Sequence, residues 1–134
     1  MEEKELLRGG QFLIKESHYN SVFTPEDFSE EQLMMKEAVK EFNEREIIAH
    51  RDRFEAKDYA LTEEVMRKAG EMGFLGVAVP EAYGGLDMGF VSTMLVCEYI
   101  SSGTGSFSTA FGAHTGIGTM PITLYGTEEQ KLKY

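Results

Sequence analysis

The chain has 134 residues, of which 42% are hydrophobic, and it carries 23 acidic against 13 basic side chains for a net charge of −10. That length fits one globular domain with a buried core, while the negative charge argues against nucleic acid and anionic membrane surfaces, which attract basic faces. A single cysteine, Cys97, excludes an internal disulfide, and no secretory signal or membrane-spanning run is visible.

The first helix is predicted to begin after Ser29. Residues 1–28 contain Pro25 and predict an irregular N-terminal arm, which makes residues 29–134 the helical domain. The segment "SEEQ" has the spacing of a capping box, so a helix should run from there to about residues 48–51. Its apolar side chains recur on one face: Met35, Ala38, Val39, Phe42 and Ala49.

A second helix is expected after Thr62, which is a plausible N-cap, and it should end at Gly73. The apolar segment "FLGVAVP" that follows is compatible with a strand or with a connection buried between helices. Residues 80–89 have loop chemistry, and Asp87 could cap the next helix. The stripe predicted to be buried on the second helix consists of Val65, Met66, Ala69 and Met72.

Two further helices, residues 90–102 and 106–126, are apolar on almost every face, with a bend expected at Pro121. Helices of this kind are normally buried. A capping box at Thr127 then starts a helix of about two turns that ends with the chain, so we expect the chain to be a piece of a larger protein. The order of elements predicts an all-α, up-down helical bundle.

The sequence offers little catalytic or metal-binding chemistry. The glycines around Gly103 and Gly105 do not complete a dinucleotide fingerprint, because the third position is Ser108. The three histidines lie far apart and lack the spacing of metal ligands. No metal site is predicted, and a nucleophilic role for Cys97 would need an unknown tertiary contact with His114.

Small residues form a row between residues 107 and 116. Ser108, Gly112 and Gly116 are spaced at i, i+4 and i+8, so they share one helix face, and Thr115 is their neighbour. The row could let another helix pack closely. Alternatively it could form a slot for a slender apolar ligand, lined by Phe111 and Thr115. The residues alone leave both interpretations open.

Two long segments are similar to a known family. "VAVPEAYGGLDMGFVSTMLVCEYIS" and "GAHTGIGTMPITLYGTEEQKLKY" resemble the N-terminal helical domain of acyl-CoA dehydrogenases. The loop "VPEAYGG" and the segment "YGTEEQK" carry most of the likeness, which extends over nearly the whole chain from Gly9 onward. "GAH" and the N-terminal leader resemble the very-long-chain-type and bacterial long-chain branch most.

The resemblance implies an FAD-dependent enzyme that oxidises the Cα–Cβ bond of fatty acyl-CoA thioesters. In that family a glutamate base removes the α-proton, the flavin takes the β-hydride, and an electron-transferring flavoprotein accepts the electrons. The base and most FAD contacts lie in a middle β-domain and a C-terminal domain, so both are expected beyond Tyr134. The resemblance thus assigns no catalytic residue to this chain and does not identify residues that contact FAD. It also implies that the isolated fragment is inactive and binds no FAD. For the parent it implies a homo-oligomer in the bacterial cytoplasm.

The resemblance also favours the slot. In the family, the matching helix borders the fatty tail, which assigns Ser108, Phe111, Gly112 and Thr115 to the wall of the acyl-chain channel. Small residues at the positions of Ser108 and Gly112 imply long-chain substrates. The alternatives are an acyl-CoA oxidase or flavin monooxygenase of the same fold, and a stand-alone helical interaction module.

Overall fold

The structure, a computed structural model, describes residues 6–134. These residues contain helices and turns and no strand, which confirms the predicted all-α class. They divide into two compact units between Leu33 and Met34. The α-helices are α1 (Glu30–Phe42), α2 (Arg51–Glu55), α3 (Tyr59–Glu71), α4 (Gly89–Ser101), α5 (Gly105–Gly112), α6 (Met120–Tyr125) and α7 (Glu128–Lys133).

Within the described residues, the first unit consists of short turns and the first four residues of α1. Three 3-10 helices, Gly9–Leu13, Tyr19–Ser21 and Pro25–Asp27, are joined by extended segments, and none of residues 6–33 is buried. The backbone N–H of Leu7 donates to the Ser21 carbonyl at 2.8 Å. The domain boundary at residue 28 stays a prediction.

Helix α1 begins at the predicted capping box but changes its winding after Phe42. The Gln32 N–H donates to Ser29 Oγ at 3.2 Å, and the Ser29 N–H donates to Gln32 Oε1 at 3.0 Å. A π-helical turn, Asn43–Ile47, and a 3-10 turn continue the chain to His50. The wider π turn shifts the buried face by a residue. Ile47 is therefore buried, and the prediction that Ala49 lies on the same face as Val39 and Phe42 was wrong, because Ala49 is exposed.

Helix α3 starts one turn before the predicted cap. Asp58 is the N-cap: its Oδ1 accepts from the Leu61 N–H at 3.0 Å, whereas the Thr62 hydroxyl donates back to the Asp58 carbonyl at 3.1 Å. At the other end Gly73 has φ +79, the left-handed conformation that turns the chain away. The helix therefore ends before Met72, which is exposed rather than part of the buried stripe.

The segment after α3 is a connection, so the strand alternative was wrong. Residues Phe74–Gly76 form a 3-10 turn, and the following loop folds back onto it. The N–H of Leu86 donates to the Gly76 carbonyl at 3.0 Å, and that of Met88 donates to Val77 at 2.9 Å. Met88 is the N-cap of α4 and makes no side-chain capping bond, so Asp87 does not cap this helix.

The core of the second unit lies where α1, α3, α4 and α5 meet. It is apolar, and every one of its members is nearly inaccessible to water: Val39, Phe42, Ile47, Phe54, Leu61, Val65, Ala69, Phe74, Val77, Val96, Ile100, Phe107 and Phe111. The two apolar helical segments are not buried on all sides within this chain. Phe90, Ile117 and Tyr125 are 70%, 82% and 86% exposed.

A charged pair links the π turn to α3. Glu46 accepts from Lys68 Nζ at 2.7 Å and from Arg45 Nε at 2.8 Å. These hydrogen bonds, the one from Lys68 first, hold the pKa of the mostly buried Glu46 carboxyl below its ordinary value of 4.5. A lowered folded-state pKa adds stability above pH 4.5, and this contribution is lost as the pH falls through the folded value.

We therefore expect Glu46→Gln to lower stability near neutral pH and to flatten its decline in acid. Urea unfolding at a series of pH values below and above 4.5 measures both effects. Glu71→Gln is the matched control, because its partner Arg67 lies on the same exposed helix face, where ion pairs contribute little. An unchanged pH profile in Glu46→Gln would contradict the assignment.

Candidate functional site

Helix α5 is the first of three consecutive helical segments, which are α-helical, π-helical and α-helical in turn. Thr104 is its N-cap and accepts from the Ser106 N–H at 3.2 Å. A π-helical stretch, Ala113–Thr119, follows α5 and leads into α6, which has Pro121 in its first turn. Proline offers no N–H to an α-helical ladder, and the glycines before it are weak helix formers. The predicted single helix over residues 106–126 is therefore α, π and α in turn.

Two of the four predicted wall residues face the core. Phe111 is buried and its ring centroid lies 6.4 Å from that of Phe107. Thr115 is also buried, and its hydroxyl donates to the Phe111 carbonyl at 3.0 Å. These side chains hold α5 against the core and leave a tiny void of about 10 Å³ beside them, too small for a ligand.

The other two predicted wall residues are half-buried at the edge of the core. The Ser108 hydroxyl donates to the Gly105 carbonyl at 3.2 Å, so it is satisfied within its own helix. A Cβ placed on Gly112 or on Gly116 would meet no atom of the described chain within 4 Å. Inside residues 6–134 no segment packs closely against Gly112 or Gly116, and these two glycines of the row border open space.

A cleft of about 490 Å³ lies elsewhere in the second unit and contains none of the four predicted residues. On its rim the Tyr83 hydroxyl donates to Glu128 Oε2 at 2.7 Å, and Lys131 Nζ lies 5.4 Å from the Tyr83 ring centroid. Sequence reasoning missed this cleft, because its walls come from segments far apart in the chain. They are Gly70, Gly73, Leu75, Gly76, Val79, Tyr83, Gly84, Gly85, His114, Gly118, Thr119, Ile122, Thr123, Lys131 and Tyr134.

Chemically reactive groups do not converge in the part of the chain that the structure describes. Between residues 6 and 134 no three His, Cys, Asp or Glu side chains come together as metal ligands would. Burial raises the pKa of the Cys97 thiol, which opposes a nucleophilic role. None of the helices in this range has the length and apolar character that crossing a bilayer requires.

The family profile for the acyl-CoA dehydrogenase N-terminal domain matches residues 29–134. The chain belongs to the acyl-CoA dehydrogenase family. A probable acyl-CoA dehydrogenase of Bacillus subtilis is 42% identical over 130 residues, which are 97% of this chain and 22% of that protein. The mitochondrial isovaleryl-CoA dehydrogenase of Solanum tuberosum is 33% identical over 108 residues, 80% of this chain and 26% of that protein.

Two solved structures are similar to this chain. The crystal structure of an acyl-CoA dehydrogenase complexed with FAD from Bacillus anthracis superposes with a TM-score of 0.88 at 41% identity, covering 96% of this chain and 22% of that one. A chain in the structure of the electron transferring flavoprotein of Acidaminococcus fermentans has a TM-score of 0.72 at 32% identity, covering 83% of this chain and 29% of that one. The chain thus spans less than a third of the length of each of these proteins, from 22% to 29%.

Proposed function

We propose that the chain is the N-terminal helical domain of an FAD-dependent acyl-CoA dehydrogenase, in which α5 forms one wall of the acyl-chain channel. The observation that carries the proposal is the open space beside Gly112 at the end of α5 and Gly116 in the π-helical stretch, where an added Cβ would meet no atom of the described chain within 4 Å. Membership of the acyl-CoA dehydrogenase family supplies an occupant, because a fatty tail is slender and apolar.

The four wall residues have two different roles in this proposal. Phe111 and Thr115 anchor the wall to the core, whereas Ser108 and Gly112 present little side-chain volume on the substrate side. Each methylene transferred from water into an apolar channel contributes about 0.8 kcal/mol. A deep channel therefore favours long acyl chains, which is the substrate class we propose.

The remaining chemistry belongs to the full-length protein. FAD, when bound there, supplies the hydride acceptor, and the complex of the Bacillus anthracis relative with FAD supports that cofactor. No described side chain is assigned to FAD, and the glutamate base is expected outside this chain. We also propose an electron-transferring flavoprotein as electron acceptor, a homo-oligomeric parent and a bacterial cytoplasmic location. An oxidase would instead pass its electrons to oxygen, which peroxide release would show.

Gly112→Gln in the full-length enzyme is expected to lower kcat/KM about tenfold or more for long acyl chains and much less for medium ones, because the new side chain shortens the channel. Activity against a series of acyl-CoA chain lengths measures the effect. Thr109→Gln, on an exposed position of the same helix, is the matched control. Equal losses at all chain lengths would refute the depth argument.

A further inference from the structure

Helix α5 is held from its N-terminal end and its core face, not from its small-residue face. Gly105, Gly112 and Gly116 all border space in which an added Cβ would meet no atom within 4 Å. The position of the wall therefore depends on contacts made elsewhere. Packing of Phe107 and Phe111 fixes which side faces the core, and polar contacts at Thr104 fix where the helix begins.

Glu55, the last residue of α2, makes the polar contact at the start of α5. Its carboxylate accepts a hydrogen bond from the Thr104 hydroxyl. This bond, with a smaller contribution from Ser106, holds the pKa of the Glu55 carboxyl below its ordinary value. Glu55 is thus charged near neutral pH, next to a helix N-terminus, where negative charge is favourable. Thr104 is buried, which makes its hydroxyl a well-defined partner.

A second contact fixes the turn just before Thr104. Asn43, in the π turn after α1, is only 3% exposed, and its Nδ2 donates to Ser102 Oγ at 3.0 Å. Its Oδ1 has no hydrogen-bond partner among the described residues and lies against Gly103, where a Cβ would come within 2.4 Å of it. The turn between α4 and α5 is therefore held by Asn43 at Ser102 and Gly103 and by Glu55 at Thr104.

We propose that Glu55 is a positioning residue for the acyl-chain wall, acting through Thr104. Ser108 and Gly112 lie one and two helical turns after Thr104, so a shift of the anchored end moves both. This inference rests on the function proposed above. In this proposal Glu55 lies outside the channel and affects which acyl-chain lengths the enzyme accepts.

The test compares variants of the full-length enzyme by the ratio of kcat/KM for long against medium acyl-CoA. Glu55→Gln and Thr104→Val are each expected to lower this ratio by about tenfold, because a long acyl chain contacts more of the wall than a medium one and loses more apolar contact when the helix shifts. Thr104→Ser keeps the hydroxyl and should restore the ratio. The double variant should lose no more than Thr104→Val alone, since without the Thr104 hydroxyl the residue at position 55 has no group to act through. Glu63→Gln, an exposed carboxylate on α3, is the matched control.

The outcomes separate the two proposals. An enzyme that dehydrogenates no acyl-CoA overturns the proposed function, and the anchor is then judged by hydrogen exchange of the backbone amides of residues 105–112. That exchange should be faster in Glu55→Gln and unchanged in Glu63→Gln. Normal exchange, or a loss of activity equal at all chain lengths, overturns the positioning role. If Glu55→Gln does not fold, the positioning role is tested by comparing the ratio of kcat/KM for long against medium acyl-CoA in Thr104→Ser and Thr104→Val. Equal ratios in these two variants overturn it.

Discussion

Replacing Gly85 with alanine is expected to destabilise the fold by about 3 kcal/mol or more, the upper range for overpacked sites. A Cβ on Gly85 would lie 2.0 Å from the Val79 carbonyl oxygen and 2.5 Å from its carbonyl carbon. Both atoms are backbone, so no side-chain rotation relieves the clash. The same Val79 oxygen accepts from the Asp87 N–H at 3.0 Å, so the loop cannot move away without losing that bond.

Urea unfolding of the Gly85→Ala variant and of the original chain measures the difference in their free energy of unfolding. Gly112→Ala is the control, because the added Cβ meets nothing within 4 Å and the backbone there is helical. It should leave stability unchanged or raise it by up to about 1 kcal/mol, the advantage of alanine over glycine in a helix. A Gly85→Ala variant as stable as the original chain would show that the loop can rearrange at little cost.

The two adjacent glycines of the loop serve different physical needs. Gly84 has φ +83, a left-handed conformation that closes the 3-10 turn Glu81–Tyr83, and it has open space around it. Gly85 is needed because two backbone segments touch there. The sequence predicts a loop from this glycine pair, but the need for the second glycine becomes visible only when Val79 is placed beside it.

Helix starts were predictable where the signal is local. The capping boxes at Ser29 and Thr127 join residues three apart, and both are present in the structure. The π turn Asn43–Ile47 was not predictable, because it depends on a partner distant in the chain: the hydrogen bond from Asn43 to Ser102 joins residues 59 apart. Periodicity assumes a constant winding, so it assigned Ala49 to the wrong face.

The candidate site shows the same limit. Spacing alone correctly put Ser108 and Gly112 together on a helix, and it named Phe111 and Thr115 as their neighbours. Whether a row of small residues is covered by another helix depends on which segments pack there, and spacing carries no information about that. The glycine geometry supplies the missing observation, since the space above Gly112 is open.

Phe107→Ala is expected to cost about 3–5 kcal/mol, as for other large aromatic side chains removed from a core. Phe107 is fully buried, with ring centroids 5.3 Å from Phe54 on α2 and 6.4 Å from Phe111 on α5. Its removal leaves a cavity at the centre of this aromatic row. The contact between α2 and α5 would then depend mainly on the polar link between Glu55 and Thr104.

Phe90→Ala is the matched control, because Phe90 is 70% exposed and its truncation should change stability by no more than about 0.5 kcal/mol. Thermal and urea unfolding of both variants give the comparison. If the two substitutions cost the same, the aromatic row does not hold α5. If Phe107→Ala alone is costly, combining it with Glu55→Gln should lower stability further, since an uncharged glutamine weakens the hydrogen bond from Thr104, which is a second contact between α2 and the start of α5.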